Sequence, residues 1–432
     1  MNIAESTRID SIISKAQLLE FVLPVLAQPQ VGSANSEPRE DQSDPNTHEN
    51  LLNTFLAATF STLCEPGDRL GGLLAEQLGL TALLRLLIDR ADASYLRGIL
   101  GPDAVQSIEH SFRSDLEKLW RESNERWLPR LNQNKVLQGL AALKELNGSI
   151  VARGSDQYPT PLEQLGAGAP HALWLRGNHE LLNSYRTVSI VGSRSTNHYG
   201  IEATAQLVAS AVENQVVVVS GGAFGIDAAA HQATLRQGGQ TIAVMAGGVD
   251  RLYPRSNEVL LEQVAQTGLV FSEVPPGVTP AKWRFLMRNR LIAALGLGTV
   301  VVQAGKTSGS LNTARYALEL EKPVAVVPGP WDSAHSVGCH QFLNESPGLV
   351  TLLSRPTELP AFLGLTNQDE HTLAGMGTLE IRALDTFGNE PLEVWEIQRL
   401  SGLTNSEVQI ALGSLELSDR IVRVGAAFRR IT

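Results

Sequence analysis

The chain has 432 residues, 43% of them hydrophobic and 19% charged, and a formal net charge of −10. That apolar share supplies buried core for two to four domains and excludes a largely disordered chain. The acidic balance excludes a protein that coats nucleic acid through bulk positive charge, so any polyanion site must be local. The two cysteines, Cys64 and Cys339, stand far apart with no CxxC or Cys/His cluster, which excludes a disulfide framework and a structural zinc site and points to a reducing cytoplasm. Within the first thirty residues Glu5, Arg8, Asp10, Lys15 and Glu20 interrupt any apolar run, so neither an export signal nor a membrane span is expected.

In chain order, residues 1–30 predict a short amphipathic helix. The stretch 31–50, VGSANSEPREDQSDPNTHEN, predicts a solvated, disordered linker. Residues 51–148 carry apolar positions at helical spacing, broken at Pro66–Gly67, Gly98 and Gly101–Pro102, and predict a small helical domain. From 149 to 365 the period changes. Six short β-branched runs, TVSIVG, VVVVSG, TIAVMAG, LVFSEV, TVVVQAG and PVAVVPG, alternate with helical spacing. Strands buried on both faces and joined by helices predict an α/β fold, a Rossmann-like doubly wound parallel sheet. A Gly- and polar-rich linker over 366–378 precedes three short helices, the last opened by a Thr404/Glu407 capping box, and a hairpin turning at Gly425. Three helices and a hairpin over 379–432 predict a winged-helix domain.

In such a sheet the ligand crevice lies at the carboxyl ends of the strands, where helix N-termini present free N–H groups. The first strand ends in GSRSTNHYG, where Gly192 and Ser193 let backbone amides approach a phosphate and Arg194 adds a planar fork of donors. The second ends in SGGAFGID, with Gly221 and Gly222 in the turn, and Asp227 and His231 four apart on the helix that follows. The fourth leads into KWRFLMRNR, interleaving Lys282, Arg284, Arg288 and Arg290 with Trp283 and Phe285, and the fifth into AGKTSGS, with Lys306, Ser308 and Gly309 ahead of a helix. Between Ala281 and Lys322 seven basic residues face two acidic ones, a local balance of +5. Rings beside such cations suit unpaired bases, which stack for about 1–3 kcal/mol each, better than a duplex.

Each motif has a plainer structural reading as well. Glycines turn a strand into a helix in any sheet of this kind. Asp227 and His231 serve as capping and packing groups or as an acid/base pair, Arg288 to Arg290 as an ion-paired cluster with Glu273 or a phosphate site, and Trp283 and Phe285 as core or as stacking rings. No GxGxxG follows the first strand and no GxxxxGK[ST] occurs, so no nucleotide cofactor and no metal is expected. The C-terminal segment from Leu379 has six arginines against eight acids, a poor match to duplex DNA that favours a protein-contact or regulatory role.

The series SIVGSRSTNHYG, SGGAFGIDAAAHQATL, TIAVMAGGVDRLYPRSN, FSEVPPG, RFLMRNRLIAALG, KTSGSLNTARYALE and VAVVPGP resembles, in order and spacing, the DprA/Smf family over roughly Asp156 to Val350. The helical segment around CEPGDRLGGLLAEQLG is similar to that family's SAM-like domain. The resemblance implies a non-enzymatic, dimeric protein that binds single-stranded DNA and loads a RecA-type recombinase during natural transformation. Carried over by motif, it makes Arg194 a phosphate contact, Lys282 and Phe285 a phosphate contact and a stacking ring, and Gly221, Gly222, Lys306, Ser308 and Gly309 the lining of the same pocket. The family usually has Phe-Pro before its RNR, whereas here Phe285 is followed by Leu286 and Met287, and Gln303 stands where an acid is common. Two other classes share the crevice geometry: a nucleotide hydrolase of the lysine-decarboxylase-like group, and a nucleotide-binding signalling scaffold. KTSGSLNTARYALE lacks the former's PGGxGTxxE loop.

Overall fold

The computed structural model describes residues 13–14, 17–26, 45–365, 377–388, 390–417 and 420–431. Most of the expected N-terminal helix, the stretch 31–44 and the second linker lie outside the described residues. Two compact units result, Met1–Leu363 and Gly364–Thr432.

The first unit begins with α1 (Pro45–Leu63), α2 (Arg69–Leu78), α3 (Leu80–Ile88), α4 (Ala93–Phe112), α5 (Leu116–Trp127) and α6 (Gln133–Glu145). Helix α1 starts at Pro45, inside the expected 31–50 linker, because proline is pre-organised for a first helical turn whose N–H would be unpaired anyway. Gly98 does not break α4, whereas Gly101 does bend it, with φ 77 ahead of Pro102. Asp68 closes the gap between α1 and α2. Its carboxylate accepts from the Gly71 N–H at 3.3 Å and from Trp127 Nε1 at 3.0 Å, capping one helix and fixing another.

Among the described residues nine strands form one sheet: β1 (Ser149–Ala152), β2 (Ala172–Gly177), β3 (Thr187–Val191), β4 (Val217–Ser220), β5 (Thr241–Val244), β6 (Leu269–Ser272), β7 (Gly298–Val301), β8 (Val324–Val326) and β9 (Val350–Leu352). Their order is β1-β2-β6-β5-β4-β3-β7-β8-β9. The sheet is parallel from β6 to β9, and the six apolar runs of the sequence are β3 to β8. Two antiparallel strands at one edge, β1 and β2, make it a mixed sheet. Helices α7 (His198–Glu213), α8 (Ile226–Arg236), α9 (Glu258–Thr267), α10 (Lys282–Leu295), α11 (Ser310–Glu319) and α12 (Val337–Glu345) cross over between strands.

The helical segment and the sheet share a core. Phe55, Leu63, Leu74 and Trp127 lie in one buried cluster with Ile150, Trp174 and Val270. Trp174, fully buried on β2, donates its indole N–H to Ser61 Oγ at 3.1 Å. Among the described residues no single helix is long and apolar enough to cross a membrane.

The second unit holds α13 (Thr378–Leu384), α14 (Val394–Ser401) and α15 (Asn405–Leu417), with an antiparallel sheet of β10 (Leu392–Glu393), β11 (Ile421–Val424) and β12 (Ala427–Arg430). The capping box forms, Thr404 N donating to Glu407 at 2.8 Å and Glu407 N to Thr404 Oγ1 at 3.4 Å. The hairpin turns at Gly425, φ 68. Leu392 and Glu393, expected as helix, pair with β12 instead.

Candidate functional site

Strand order reverses between β3 and β7: β4, β5 and β6 run out on one side, β8 and β9 on the other. Loops leaving the carboxyl ends of two such strands diverge, and a crevice opens between them. Here it encloses about 510 Å³, lined by Gly192 to Ser195 after β3, by Ala223 and Asp227 after β4, by Thr307 to Ser310 after β7, and by one face of α10. That face presents Phe285, Arg288, Asn289 and Ile292, spaced i, i+3, i+4 and i+7 as one side of a helix requires.

Gln303 builds the rim from below. Its backbone carbonyl accepts from the Ser193 N–H at 2.7 Å, its side-chain oxygen accepts from Thr196 Oγ1 at 2.7 Å, and its Nε2 donates to Asn197 Oδ1 at 3.0 Å. The same Asn197 oxygen accepts from the Gly200 N–H at 3.1 Å and caps α7. An ionised acid has no proton for Asn197, so glutamine is the residue that holds both partners. Behind the rim Gly225 has φ 77, and a Cβ there would stand 2.1 Å from the Ser193 carbonyl, so only glycine fits. Opposite, Asn289 Nδ2 donates to the Gly309 carbonyl at 3.2 Å, tying α10 to the loop after β7.

The accessible chemistry is a cation on a column of rings. The exposed Arg194 guanidinium lies 5.3 Å from the centroid of Phe285. Tyr253, on the loop after β5, lies 5.5 Å from Phe285, the two rings tilted by 49°. Phe285 is half-buried and Tyr253 is 47% exposed. Lys282 is exposed one helical turn before Phe285, on the same side of α10. Lys306 is exposed between the lining residues Gly305 and Thr307. Ser308 lines the crevice with its hydroxyl 2.7 Å from that of Ser310. Tyr253, Asn289, Thr307 and Ser195 escaped the sequence reading; the signal for Tyr253 was a lone aromatic at a strand end.

Three expected site residues, Arg290, Gly221 and Gly222, fall outside the crevice, and a fourth, Arg288, lies buried at its floor. Positions 288 and 290 are about 200° apart around a helix, so RNR is not one surface. Arg290 points away from the crevice into an ion pair with Glu273, both side chains buried, with Tyr158 nearby. Arg288 reaches the crevice floor but is 4% exposed and spends one nitrogen on the carbonyls of Gly221, at 2.7 Å, and Val244; burial lowers its pKa to about 10. Gly221 and Gly222 are buried and do not line the crevice. A Cβ at Gly221 would lie 2.5 Å from the Arg288 guanidinium, so this glycine makes room for the arginine. The local surplus shrinks as well, because Arg284 pairs with Glu65 at 3.1 Å and Lys322 Nζ donates to the carbonyls of Ala294, in the last turn of α10, and of Gly296 just beyond it. Arg194, Lys282 and Lys306 are the exposed cations beside the crevice.

Asp227 and His231 separate on inspection. Asp227 lines the crevice, its pKa raised by burial against the opposing pull of Arg288 and of the Ala223 and Gly192 N–H groups. His231 is wholly buried under the sheet with Nδ1 2.8 Å from Thr241 Oγ1. The one Thr241 hydroxyl proton goes to the Val218 carbonyl at 2.7 Å, so Nδ1 is the donor, and Nε2, buried with no hydrogen-bond partner, has no acceptor for a second proton, which keeps the imidazole neutral. Burial, then Arg288, lowers its pKa to about 3. A histidine neutral in the fold and near 6.5 when unfolded binds its proton only in the unfolded chain across that window, so its contribution falls with falling pH. Wild type therefore loses about 2 kcal/mol more than His231→Asn between pH 7 and pH 5. Denaturant unfolding of both proteins at each pH measures the difference, and parallel curves contradict it.

Fold and crevice together define an α/β protein with an exposed cation-and-ring site at the switch point of its sheet. The family model for DNA recombination-mediator protein A matches residues 149–358. A Mycobacterium tuberculosis protein bearing the DprA name is 39% identical over 65% of this chain and 73% of its own. The X-ray structure of DNA processing protein A from Streptococcus pneumoniae superposes with a TM-score of 0.56 at 28% identity, covering 72% of this chain and 96% of its own. A DNA processing protein A from Helicobacter pylori, solved for its single-stranded DNA binding mode, gives a TM-score of 0.45 at 30% identity, covering 50% and 95%. This chain belongs to the DprA/Smf family.

Proposed function

We propose that the chain binds single-stranded DNA in the β3/β7 crevice and hands the strand to a RecA-type recombinase. It acts as a homodimer in the cytoplasm, during DNA uptake and recombination, by binding rather than by catalysis. The observation that carries this reading is the column Arg194, Phe285 and Tyr253: rings open to solvent beside a guanidinium accept unpaired bases and phosphates, and a duplex hides its base faces. Arg194, Ser193, Lys282, Phe285, Lys306, Ser308 and Gly309 are the proposed contacts, with Arg288 at the floor.

Helices 51–148 serve as the SAM-like domain and 379–432 as a winged helix whose acidic balance suits a protein partner. A hydrolase reading needs Asp227 and His231 to act together, whereas the His231 proton is held by Thr241 behind the crevice wall.

Fluorescence anisotropy against salt tests the proposal. An oligonucleotide binds with log K falling by about 0.7 per phosphate neutralised for each decade of salt, and Lys282→Ala or Lys306→Ala lowers that slope by about one contact. Equal affinity for duplex at the same salt, or turnover of a nucleoside monophosphate abolished by Asp227→Asn, overturns it.

A further inference from the structure

The loop from Gly247 to Asn257, after β5, alternates in a way that the crevice itself does not explain. Arg251, Tyr253 and Arg255 are exposed, while Leu252 and Pro254 between them are buried. Arg251 and Tyr253 lie in bends and Arg255 opens a short 3-10 turn, Arg255–Asn257, so three solvent-facing side chains follow one another along the loop, a ring between two cations. The ring is the one that meets Phe285, so this row begins where the crevice ends.

The loop is also held in place. Leu252 enters the hydrophobic core, Asn257 Nδ2 donates to the carbonyls of Gly222 at 3.0 Å and Ala223 at 3.2 Å, and Asp250 Oδ1 accepts from the Gly277 N–H at 2.9 Å. A surface fixed before binding loses less entropy on binding. Asp250 also stands 3.4 Å from Arg251 and offsets its charge. Arg255 has no ion-pair partner among the described residues, which leaves it the stronger phosphate contact.

We infer that the row Arg251, Tyr253 and Arg255 is a second limb of the single-strand track, Tyr253 stacking a base beyond Phe285 and Arg255 neutralising the next phosphate. The inference rests on the single-strand reading of the crevice and extends the bound segment toward β5. Rings interleaved with cations along a groove are what sequence-tolerant binding of an unpaired strand uses.

The test uses the full chain and a labelled oligo-dT of about 16 nucleotides, the upper end of common single-strand site sizes. Tyr253→Ala weakens binding by about tenfold and Tyr253→Phe restores it, as stacking requires. Arg255→Ala lowers the salt slope by about 0.7, whereas Tyr253→Ala leaves the slope unchanged because no counterion contact is lost. Photocrosslinking with 5-iododeoxyuridine in the same oligonucleotide attaches to the loop peptide that carries Tyr253. If Arg194→Ala and Phe285→Ala weaken binding while Tyr253→Ala and Arg255→Ala bind as wild type does, the second limb is wrong and the crevice reading stands on Arg194 and Phe285 alone. If wild type itself fails to bind the oligonucleotide, both fall.

Discussion

Arg290→Met lowers the stability of the first unit by about 3–5 kcal/mol at pH 7, because it strands the Glu273 carboxylate in the interior. Glu273 is 8% exposed, and burial already raises its pKa against the pull of Arg290. Without the guanidinium the carboxyl group holds its proton more tightly still. A raised folded-state pKa contributes stability below the unfolded value and loses it as pH rises. The deficit of Arg290→Met is therefore largest at pH 7 and shrinks toward pH 5. The pair is not a net stabiliser relative to apolar packing: Arg290 Nε and Nη1 are buried without a hydrogen-bond partner, and such pairs are often replaced at no loss. Arg290→Met with Glu273→Leu accordingly recovers most of the single variant's deficit. Urea unfolding of the single and double variants at pH 7 and pH 5 measures all of this. A single variant as stable as wild type at pH 7 rules out a buried, charge-balanced pair.

Arg194→Ala and Phe285→Ala each weaken binding of single-stranded oligonucleotide by about 1–3 kcal/mol, and the double variant loses less than the sum. The guanidinium rests on the ring at 5.3 Å, so removing Phe285 also removes the support that orients Arg194. Phe285→Leu separates stacking from packing: it keeps apolar bulk beside Tyr253 and loses the π-face. Its melting temperature stays close to wild type while its affinity falls toward that of Phe285→Ala. Strict additivity, or normal affinity in Phe285→Leu, removes the column from the binding site. Competition with duplex at matched salt keeps this result distinct from a general loss of charge.

The β3 to β8 runs were legible because strands covered on both faces leave continuous β-branched segments, and the helices between them keep a 3.6-residue period. The edge strands β1 and β9 and the neighbouring β2 were not legible. Each is three to six residues long, and ALWLRG on β2 closes a Gly- and Pro-rich stretch, GSDQYPTPLEQLGAGAPH, that carries no strand period, so only its antiparallel pairing with β6 marks it as a strand. The Thr404/Glu407 cap and the Gly425 turn involve residues within a few positions of one another, so their spacing carries them. Strand β10 depends on Phe428, thirty-six positions away from Leu392, and nothing local announces it.

The same division runs through the site. Sequence alone determined which loops meet, since a parallel sheet brings strand carboxyl ends together and Arg194, Phe285 and Ser308 stand on three of them. Tertiary structure decided which charges reach solvent. Helix α10 carries cations around its circumference, and packing against the helical segment turns Arg284 and Arg290 inward to Glu65 and Glu273. It also decided that Tyr253 joins Phe285, thirty-two positions apart in the chain. Covalent order constrains near neighbours, whereas the partner of a charge or a ring is set by whichever surfaces hydrophobic burial brings into contact.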